Sequence, residues 1–600
     1  MPELPQQARA LLQSVFGYED FRPGQAEIIA AVLAGEPVLA IMPTGSGKSM
    51  CYQLPALVDG ALTVVVSPLI ALMRDQVRQM RAFGVAAATL NSMNAASEND
   101  EARRAMRSGD LRLLFVSPER LVMPGLVDEL SRAGARRLAI DEAHCVSEWG
   151  HDFRPEYREL GQVAEALGAQ VVGLTATADK ATRDDIAKRL FKESPRLFLH
   201  SFDRPNLALN FAAKDQPRRQ LQRFLERHRG ESGIVYCSSR GATEKLATFF
   251  AEQGHESVCY HAGLDQALRN RNQDRFLQED GIVAVATIAF GMGVNKPDVR
   301  FVAHADMPSS VESYYQEIGR AGRDGLPADT LTLYGLDDMA FRRRQIDQKE
   351  VPEERKRIEH DRFSALAMLC ETPRCRRQTL LAYFDEESPP CGRCDICLGR
   401  IAVYDGTIDA QKALSAAMRT GQRFGAGYLA DILIGAASDA VRRNGHDAIK
   451  TFGVGKDRSK HEWSAIVRQL FAARALASTE HGGFALTRKG EDILFGRAQI
   501  SLRRDPLTPA ARGRRSDARR GETLGGEDER VLAALKRKRL ELARELSLPA
   551  YMIFPDRTLI EMASRRPATL DEMRAVQGVG EHKLAHYGEA FLEALSEALR

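Results

Sequence analysis

The sequence predicts the α/β fold class, with two parallel-sheet lobes forming the larger part of the chain. Short apolar runs alternate with longer helical patterns, once up to about residue 204 and again up to about residue 338. Such alternation is typical of strands joined by helical crossovers, which a parallel sheet requires. Polar residues follow several runs, at the sheet edge where parallel α/β folds bind ligands.

The strand-like runs are short and apolar. In the first series they are 37–42, 62–66, 111–116, 136–140 and 171–174, and in the second 233–237, 257–261, 281–286 and 300–304. The polar segments that follow runs of the first series are 67–68, 117–119, 141–142 and 175–177. Each segment alone is compatible with simple turn chemistry. Because all four segments would lie at the same edge of the predicted sheet, together they indicate a ligand-binding site there.

The composition is that of a globular protein without a strong overall charge. Of 600 residues, 44% are hydrophobic and 28% charged, with a formal net charge of +3. The length suggests roughly four domains. Because the net charge is small, any positively charged surface for nucleic-acid binding must be local. No apolar stretch reaches membrane-spanning length, and the N-terminus lacks a secretory pattern. The nine cysteines are scattered except for one cluster, which fits a reducing compartment. We expect a cytoplasmic protein.

A glycine-rich segment after the first run indicates a phosphate-binding loop. It contains Thr44, Gly45, Ser46, Gly47, Lys48 and Ser49. The glycines let backbone N–H groups surround a phosphate, Lys48 reaches the outer phosphates, and Ser49 can ligate Mg²⁺. Met42 replaces the first glycine of the general pattern. An ordinary strand-to-helix turn is the alternative for this segment alone.

An acidic pair, Asp141 and Glu142, ends the run at 136–140 and is followed by His144. One carboxylate at such a strand end can hold Mg²⁺, and a second can orient the attacking water. Capping of the following helix is the alternative. The phosphate loop upstream favours the catalytic interpretation.

Tyr18, Arg22 and Gln25 precede the phosphate loop. A glutamine amide can donate to and accept from one edge of adenine, while tyrosine and arginine offer stacking surfaces. A surface turn at Pro23 and Gly24 explains the same segment. The segment alone favours the turn.

Aromatic and basic residues are interleaved in a loop-like segment after the acidic pair: Trp149, His151, Phe153 and Arg154. Such a surface can stack single-stranded bases, at about 1–3 kcal/mol per base. An aromatic plug beneath a loop is the alternative.

Arg320 and Arg323 end the second series, which has no phosphate loop of its own. Because they are three residues apart, they would share one face of a helix. Arginines reaching across a cleft stabilise charge on a transferring phosphoryl group, with effects of about 10³–10⁵ in rate. A solvated basic helix face is the alternative.

Four cysteines with the spacing of a zinc site follow the two lobes: Cys375, Cys391, Cys394 and Cys397. Cysteines separated by two residues can bind tetrahedral Zn²⁺ through their thiolates. Because four thiolates fill all four coordination positions of the zinc ion, its role should be structural. Buried free cysteines are the alternative, which the polar, glycine-containing context disfavours. Cys370 lies in an apolar helical run and is assigned to the core.

Together these segments resemble the RecQ family of DNA helicases of the bacterial type, which are superfamily 2 motors. The resemblance rests on residues 21–25, 43–49, 141–157, 174–178, 289–297 and 316–325 and runs almost end to end. It implies two RecA-like lobes (1–204 and 205–338), a helical zinc-binding module (339–403) and a winged-helix domain (404–498). A basic flexible linker (499–526) and an all-α, HRDC-like C-terminal domain (527–600) would complete the chain.

The resemblance also implies the role of each residue. Tyr18, Arg22 and Gln25 would hold the adenine of ATP, and residues 44–49 the phosphates. Ser49 and Asp141 would hold Mg²⁺, and Glu142 would orient water. His144 and the aromatic loop would couple DNA contact to hydrolysis, while Arg320 and Arg323 complete the site. The implied partners are single- and double-stranded DNA, a single-stranded-DNA-binding protein and a type I topoisomerase.

Further basic residues are candidates for DNA contact. Lys456, Arg458, Lys460 and His461 lie before or at the start of a predicted winged-helix helix, where a solvated helix end is equally compatible. Residues 499–520 carry seven arginines against two aspartates, which predicts a basic linker, at its simplest a tether. In the last domain, Gly578 to Gly580 resembles a turn whose amides approach phosphate, and residues 536–539 add basic charge.

Three functional hypotheses follow. The first is an ATP-dependent DNA helicase moving 3′→5′ in repair and recombination, with polarity and pathway taken from the resemblance. The second is an RNA-directed or duplex-translocating ATPase that does not separate DNA strands. The third is an ATPase-dead DNA-binding scaffold, against which the intact Lys48, Asp141, Glu142, Arg320 and Arg323 argue.

Overall fold

The first lobe is organised around one parallel sheet. The computed structural model describes residues 4–147, 154–290, 296–399, 402–479, 483–504, 526–546 and 548–599. The strands of this lobe are β1 (Val38–Ile41), β2 (Leu62–Val66), β3 (Ala87–Leu90), β4 (Leu113–Val116), β5 (Ala135–Ile140), β6 (Gln170–Thr175) and β7 (Arg196–Leu199). They pair in the order β3-β4-β2-β5-β6-β1-β7, and every pairing is parallel.

Helices cover both faces of this sheet. They are α1 (Gln6–Phe16), α2 (Gln25–Leu33), α3 (Met50–Val58), α4 (Ile70–Ala82), α5 (Ala96–Arg107), α6 (Pro118–Leu121), α7 (Leu126–Arg132), α8 (Leu160–Leu167) and α9 (Lys180–Leu190). Along β1, Leu39 and Ile41 belong to one hydrophobic cluster and Val38 and Ala40 to another. Burial on both faces explains why the strand reads as a continuous apolar run.

The second lobe repeats this plan. Its strands are β8 (Leu207–Ala213), β9 (Gly233–Tyr236), β10 (Ser257–Tyr260), β11 (Val283–Ala286), β12 (Phe301–His304) and β13 (Ala328–Tyr334), in the parallel order β10-β11-β9-β12-β13-β8. Its helices are α10 (Pro217–Glu226), α11 (Arg240–Glu252), α12 (Gln266–Gln278) and α13 (Val311–Ile318).

Three smaller units follow. The first is helical: α14 (Leu336–Asp347), α15 (Glu353–Glu371), α16 (Arg376–Tyr383) and α17 (Asp395–Leu398). The second combines helices with two antiparallel strand pairs, β14 with β17 and β15 with β16: β14 (Val403–Asp405), α18 (Thr407–Arg419), α19 (Ala426–Ile434), α20 (Asp439–Arg443), α21 (Lys460–Ala472), β15 (Leu476–Ser478), β16 (Phe484–Leu486), α22 (Arg488–Leu494) and β17 (Ser501–Arg503). The last has its own hydrophobic core: α23 (Gly526–Glu545), α24 (Ala550–Ile553), α25 (Asp556–Arg565), α26 (Leu570–Arg574) and α27 (Glu581–Leu599).

This architecture confirms the predicted α/β class and the order of its units. Every predicted run contains or overlaps a strand, whereas the sequence interpretation missed β3, β7, β8 and β13. None of the described helices combines the length and apolar character needed to span a membrane.

Candidate functional site

The register of the first sheet brings three predicted segments to one edge. Ile41 pairs with Thr175, and Val66 pairs with Ile140, the residue before Asp141. The loop after β1, the acidic pair after β5 and the threonines after β6 therefore leave the sheet side by side. Ligands of parallel α/β sheets bind at this carboxyl-terminal edge.

The glycine-rich loop lies between β1 and α3 and is held by side chains from its N-terminal side. The Gln25 amide donates to the carbonyls of Ser46 at 3.1 Å and Gly47 at 2.9 Å. Gly47 has φ = 81°, and a Cβ there would lie 2.5 Å from Gln25 Nε2. Only glycine fits both requirements. Arg22 contacts the loop as well, because its guanidinium donates to the Gly45 carbonyl.

Lys48 follows Gly47 and turns back toward β1. Its ammonium donates to the carbonyls of Met42 at 3.2 Å and Pro43 at 3.5 Å. Burial lowers the pKa of Lys48, while the nearby carboxylates of Glu142 and Asp141 act in the opposite direction. Lys48 is half-buried, and a partly desolvated cation held by neutral carbonyls is well placed to receive phosphate oxygens.

The acidic pair faces this lysine. Burial, and next the charge of Glu142, raise the pKa of Asp141 to about 7. Glu142 has φ = 50°, a left-handed conformation that is uncommon for a non-glycine residue. Its carboxylate lies 3.3 Å from His144 Nδ1, and the same nitrogen lies 2.8 Å from the Thr175 hydroxyl. These contacts tie the acidic pair to the end of β6.

Arg320 and Arg323 lie at the opposite side of the cleft, on the second lobe. The expectation that they share a helix face is wrong, because α13 ends at Ile318 and both arginines lie in the turns that follow. If Gly45 carried a Cβ atom, that atom would lie 3.3 Å from Arg323 Cγ. The turn therefore brings an arginine of the second lobe against the phosphate loop of the first. Burial, with Arg320 and Arg204 close by, lowers the pKa of Arg323.

Arg204 is a site residue that the sequence interpretation missed. Its guanidinium donates to the Thr44 carbonyl in the phosphate loop, and to the carbonyls of Gly319 at 3.3 Å, Ala321 at 2.9 Å and Gly322 at 2.9 Å. It thus joins the phosphate loop to the arginine-bearing turn. No local motif surrounds it, so only the tertiary contact identifies it.

Tyr18, Arg22 and Gln25 line a cavity of about 400 Å³ that also reaches Gly45, Gly47 and Ser49. Gln25 is buried and Tyr18 is half-buried. The cavity thus extends from the predicted adenine residues to the phosphate loop.

The four predicted cysteines converge. The Sγ atoms of Cys375, Cys391, Cys394 and Cys397 all lie within 4.8 Å of one another, with 3.9 Å between Cys375 and Cys394 and 4.0 Å between Cys391 and Cys397. Zn–S bonds of about 2.3 Å in a tetrahedron put the sulfurs ~3.8 Å apart, so the arrangement fits zinc. Cys370 lies in the hydrophobic core, as predicted.

A buried arginine ties the cysteine cluster to the second lobe. Arg376, next to Cys375, is fully buried and pairs with Asp395 at 2.9 Å through both its Nε and an Nη atom. Asp395 also accepts from the Phe211 amide at 3.2 Å, and the Arg376 guanidinium lies over the Phe211 ring. Arg376 and Asp395, each adjacent to a cysteine of the cluster, therefore connect this module to β8.

The predicted DNA-contact loop is only partly described. Trp149, His151 and Phe153 lie outside the described residues. Arg154 donates to the Pro68 carbonyl at 2.8 Å, next to the polar end of β2. Arg154, the last residue of the predicted set, therefore contacts the segment that follows β2.

The structure limits two expectations for the C-terminal domain, each at one residue. The Gly578 amide donates to the Gly17 carbonyl at 2.7 Å, so this turn packs on the first lobe instead of presenting that amide to phosphate. Arg539 does not add exposed basic charge, because it is 1% exposed and pairs with Asp556 and Asp280. In the winged-helix region, Arg458 pairs with Asp409 and Lys460 with Asp431.

Comparison with known proteins supports each unit. The chain matches the models for DEAD/DEAH box helicase (residues 22–186), helicase conserved C-terminal domain (216–325), RecQ zinc-binding (336–398), RQC domain (400–511) and HRDC domain (528–595). It is 42% identical to the ATP-dependent DNA helicase RecQ of Pasteurella multocida, over 99% of this chain and 94% of that protein. The proteins of the same name from Haemophilus influenzae and Bacillus subtilis are 41% and 36% identical, over 98% and 99% of this chain and 96% and 99% of theirs. The chain therefore belongs to the RecQ family of ATP-dependent DNA helicases.

Proposed function

We propose that this protein uses ATP hydrolysis between its two lobes to move 3′→5′ along single-stranded DNA and to separate duplexes in repair and recombination. The observation that carries the proposal is the convergence of Lys48, Asp141 and Glu142 on one lobe with Arg323 on the other. Such a cleft is complete only when the lobes lie together. Nucleotide binding can therefore control their separation.

The residue roles are part of the proposal, and this geometry supports them. Lys48 and the loop amides bind the phosphates, while Arg320 and Arg323 stabilise charge on the transferring group. Glu142 orients the attacking water, and Ser49 and Asp141 would hold Mg²⁺. Bound Mg²⁺ supplies charge neutralisation on the phosphate oxygens. His144 and Thr175 transmit the state of Glu142 to β6.

The remaining partners are proposed on the same basis. Cys375, Cys391, Cys394 and Cys397 would bind a structural Zn²⁺, which orders the module between the motor and the winged helix. DNA is the substrate; a single-stranded-DNA-binding protein and a type I topoisomerase are the protein partners expected for the family. The cytoplasmic location remains a prediction.

A Lys48→Ala variant distinguishes the proposed ATP-driven motor from the alternative, a DNA-binding scaffold without ATPase activity. We expect this variant to lose DNA-stimulated ATP hydrolysis, because the phosphates lose the ammonium that the loop presents to them, and to keep the DNA affinity of the wild type. Hydrolysis and fluorescence-anisotropy binding assays measure the two properties. Lys192→Ala, which removes an exposed lysine of the same lobe, should leave both unchanged. A wild-type protein without DNA-stimulated hydrolysis would support the scaffold.

A further inference from the structure

The segment that joins the two lobes is held by the zinc-binding module. This linker covers residues 200–206, between β7 and β8. The Glu386 carboxylate of the module accepts a hydrogen bond from the Phe202 amide at 2.8 Å. The Arg377 guanidinium, also of the module, pairs with the Asp203 carboxylate at 3.2 Å. Two side chains of the module therefore bind consecutive residues of the linker.

An aromatic cluster fixes the same linker against the second lobe. The Phe202 ring lies nearly parallel to the Phe384 ring of the zinc-binding module, with 4.3 Å between the ring centroids. Tyr315 of α13 meets both rings edge-on, and its hydroxyl donates to the Phe202 carbonyl at 2.8 Å. The linker is thus enclosed between the module and α13. The module, the linker and the second lobe form one packed unit.

The module also bonds to both lobes through one arginine. Arg362 lies on α15, and its guanidinium is 3.2 Å from the Glu312 carboxylate of the second lobe and 3.3 Å from the Asp179 carboxylate of the first. The side chains of Arg362 and Glu312 are 13% and 4% exposed, whereas Asp179 is half-buried. Partly buried ion pairs are screened by salt less than surface pairs are. A single cation therefore connects the two lobes.

The two ion pairs of Arg362 differ in what happens when the lobes separate. Glu312 also accepts a hydrogen bond from the Tyr383 hydroxyl of the same module at 2.7 Å, and the module is bound to β8 by the buried ion pair described above. These contacts lie within the unit that the module forms with the second lobe. The pair with Asp179 crosses to the first lobe, so it must break when the lobes separate.

Both carboxylates that contact Arg362 lie on segments that lead to the hydrolysis site. Asp179 follows shortly after Thr175, whose hydroxyl contacts His144 Nδ1 beside the acidic pair. Glu312 lies in the first turn of α13, the helix that precedes the arginine-bearing turn. The bridge therefore connects the end of β6 on one lobe to the helix before the arginines on the other.

We propose that the zinc-binding module stabilises the closed cleft and that Arg362 is a positioning residue for ATP hydrolysis, through its ion pair with Asp179. This inference rests on the proposed ATPase function. Hydrolysis needs Arg323 against the phosphate loop, an arrangement that exists only while the lobes lie together. Because nucleotide binding favours this arrangement, bound nucleotide and the ion pair stabilise each other by the same factor. Arg362 acts through lobe closure instead of through contact with the nucleotide.

The first test is Asp179→Asn in the full-length protein, measured as kcat/KM for ATP with saturating single-stranded DNA. Asp179 caps α9 by accepting from the Thr182 amide at 2.8 Å, and asparagine caps equally well, so only the charge is lost. Because kcat/KM follows the population of the closed cleft, we expect it to fall about fivefold, the upper effect of a partly exposed ion pair. Zinc content and melting temperature should match the wild type. The control Asp184→Asn, which removes an exposed carboxylate of the same helix, should keep the wild-type kcat/KM.

A double substitution shows whether the loss comes from this ion pair. Arg362→Lys keeps a cation for the buried Glu312, but a single ammonium lacks the forked geometry that contacts two carboxylates. Asp179→Asn should therefore cost little in the Arg362→Lys protein, whereas two independent structural effects would multiply. Wild-type kcat/KM in Asp179→Asn, or the full fivefold loss in both backgrounds, would overturn the proposal. A wild-type protein without DNA-stimulated hydrolysis would instead overturn the proposed function itself.

Discussion

Replacing Glu142 with glutamine is expected to abolish ATP hydrolysis while leaving ATP and DNA binding in place. Glutamine keeps the size of the side chain but cannot accept a proton from the attacking water, and loss of such a general base lowers the rate by about 10²–10⁴-fold. Removing a carboxylate beside Lys48 also removes one negative charge from the phosphate site, so ATP affinity should rise or stay the same. Steady-state hydrolysis with saturating single-stranded DNA measures the first effect, and nucleotide displacement measures the second.

The geometry around Glu142 indicates that this substitution should affect ATP hydrolysis without disrupting the surrounding contacts. Glutamine keeps a side-chain oxygen that can face His144 Nδ1, and the contact of that nitrogen with Thr175 stays available. Glu165→Gln is the matched control, because Glu165 is an exposed carboxylate of the same lobe that pairs with Lys192. Hydrolysis by Glu142→Gln at the wild-type rate would exclude Glu142 as the group that orients water.

Loss of the cysteine cluster is expected to have the largest effect on stability. In Cys394→Ser the buried Cys394 loses its thiolate, and zinc binding to such sites contributes about 10–16 kcal/mol of folding free energy in small zinc domains. We expect the variant to lose bound zinc and the module to unfold. Because Arg376 and Asp395 join the module to β8, the unfolding should also lower the melting temperature of the second lobe.

Metal analysis and differential scanning calorimetry measure these effects. Cys370→Ala is the matched control: it removes a buried thiol of the hydrophobic core and should retain one zinc per chain. A zinc-replete Cys394→Ser protein with wild-type melting behaviour would contradict the assignment.

Local chemistry explains which parts of the site the sequence predicts. The phosphate loop, the acidic pair and the cysteine cluster are each defined by residue types at short spacings, and the structure places the members of each group together. The apolar runs predict most central strands, because these strands are buried on both faces. By contrast, β8 alternates buried and half-buried residues, and β13 contains threonines. Neither gives a continuous apolar run.

Contacts between distant segments explain what the sequence does not predict. Arg204 acts through carbonyls of the phosphate loop and of the turn after α13, which are more than 100 residues from it. The arginine pair follows a helix that ends at Ile318, and its spacing alone does not reveal that end. Lys583 and Tyr551 reach the cleft only because the last domain packs back on the first lobe. Arg204, Lys583 and Tyr551 have no local signature.

In the proposed mechanism, ATP hydrolysis in the cleft drives DNA strand separation in one direction. Unwinding of a duplex with a 3′ single-stranded tail, compared with the same duplex carrying a 5′ tail, tests it most directly in the presence of ATP and Mg²⁺. The wild type is expected to unwind only the 3′-tailed duplex, and Glu142→Gln is expected to unwind neither. Unwinding of only the 5′-tailed duplex would contradict the polarity, and DNA-stimulated hydrolysis without unwinding of either would contradict the helicase assignment.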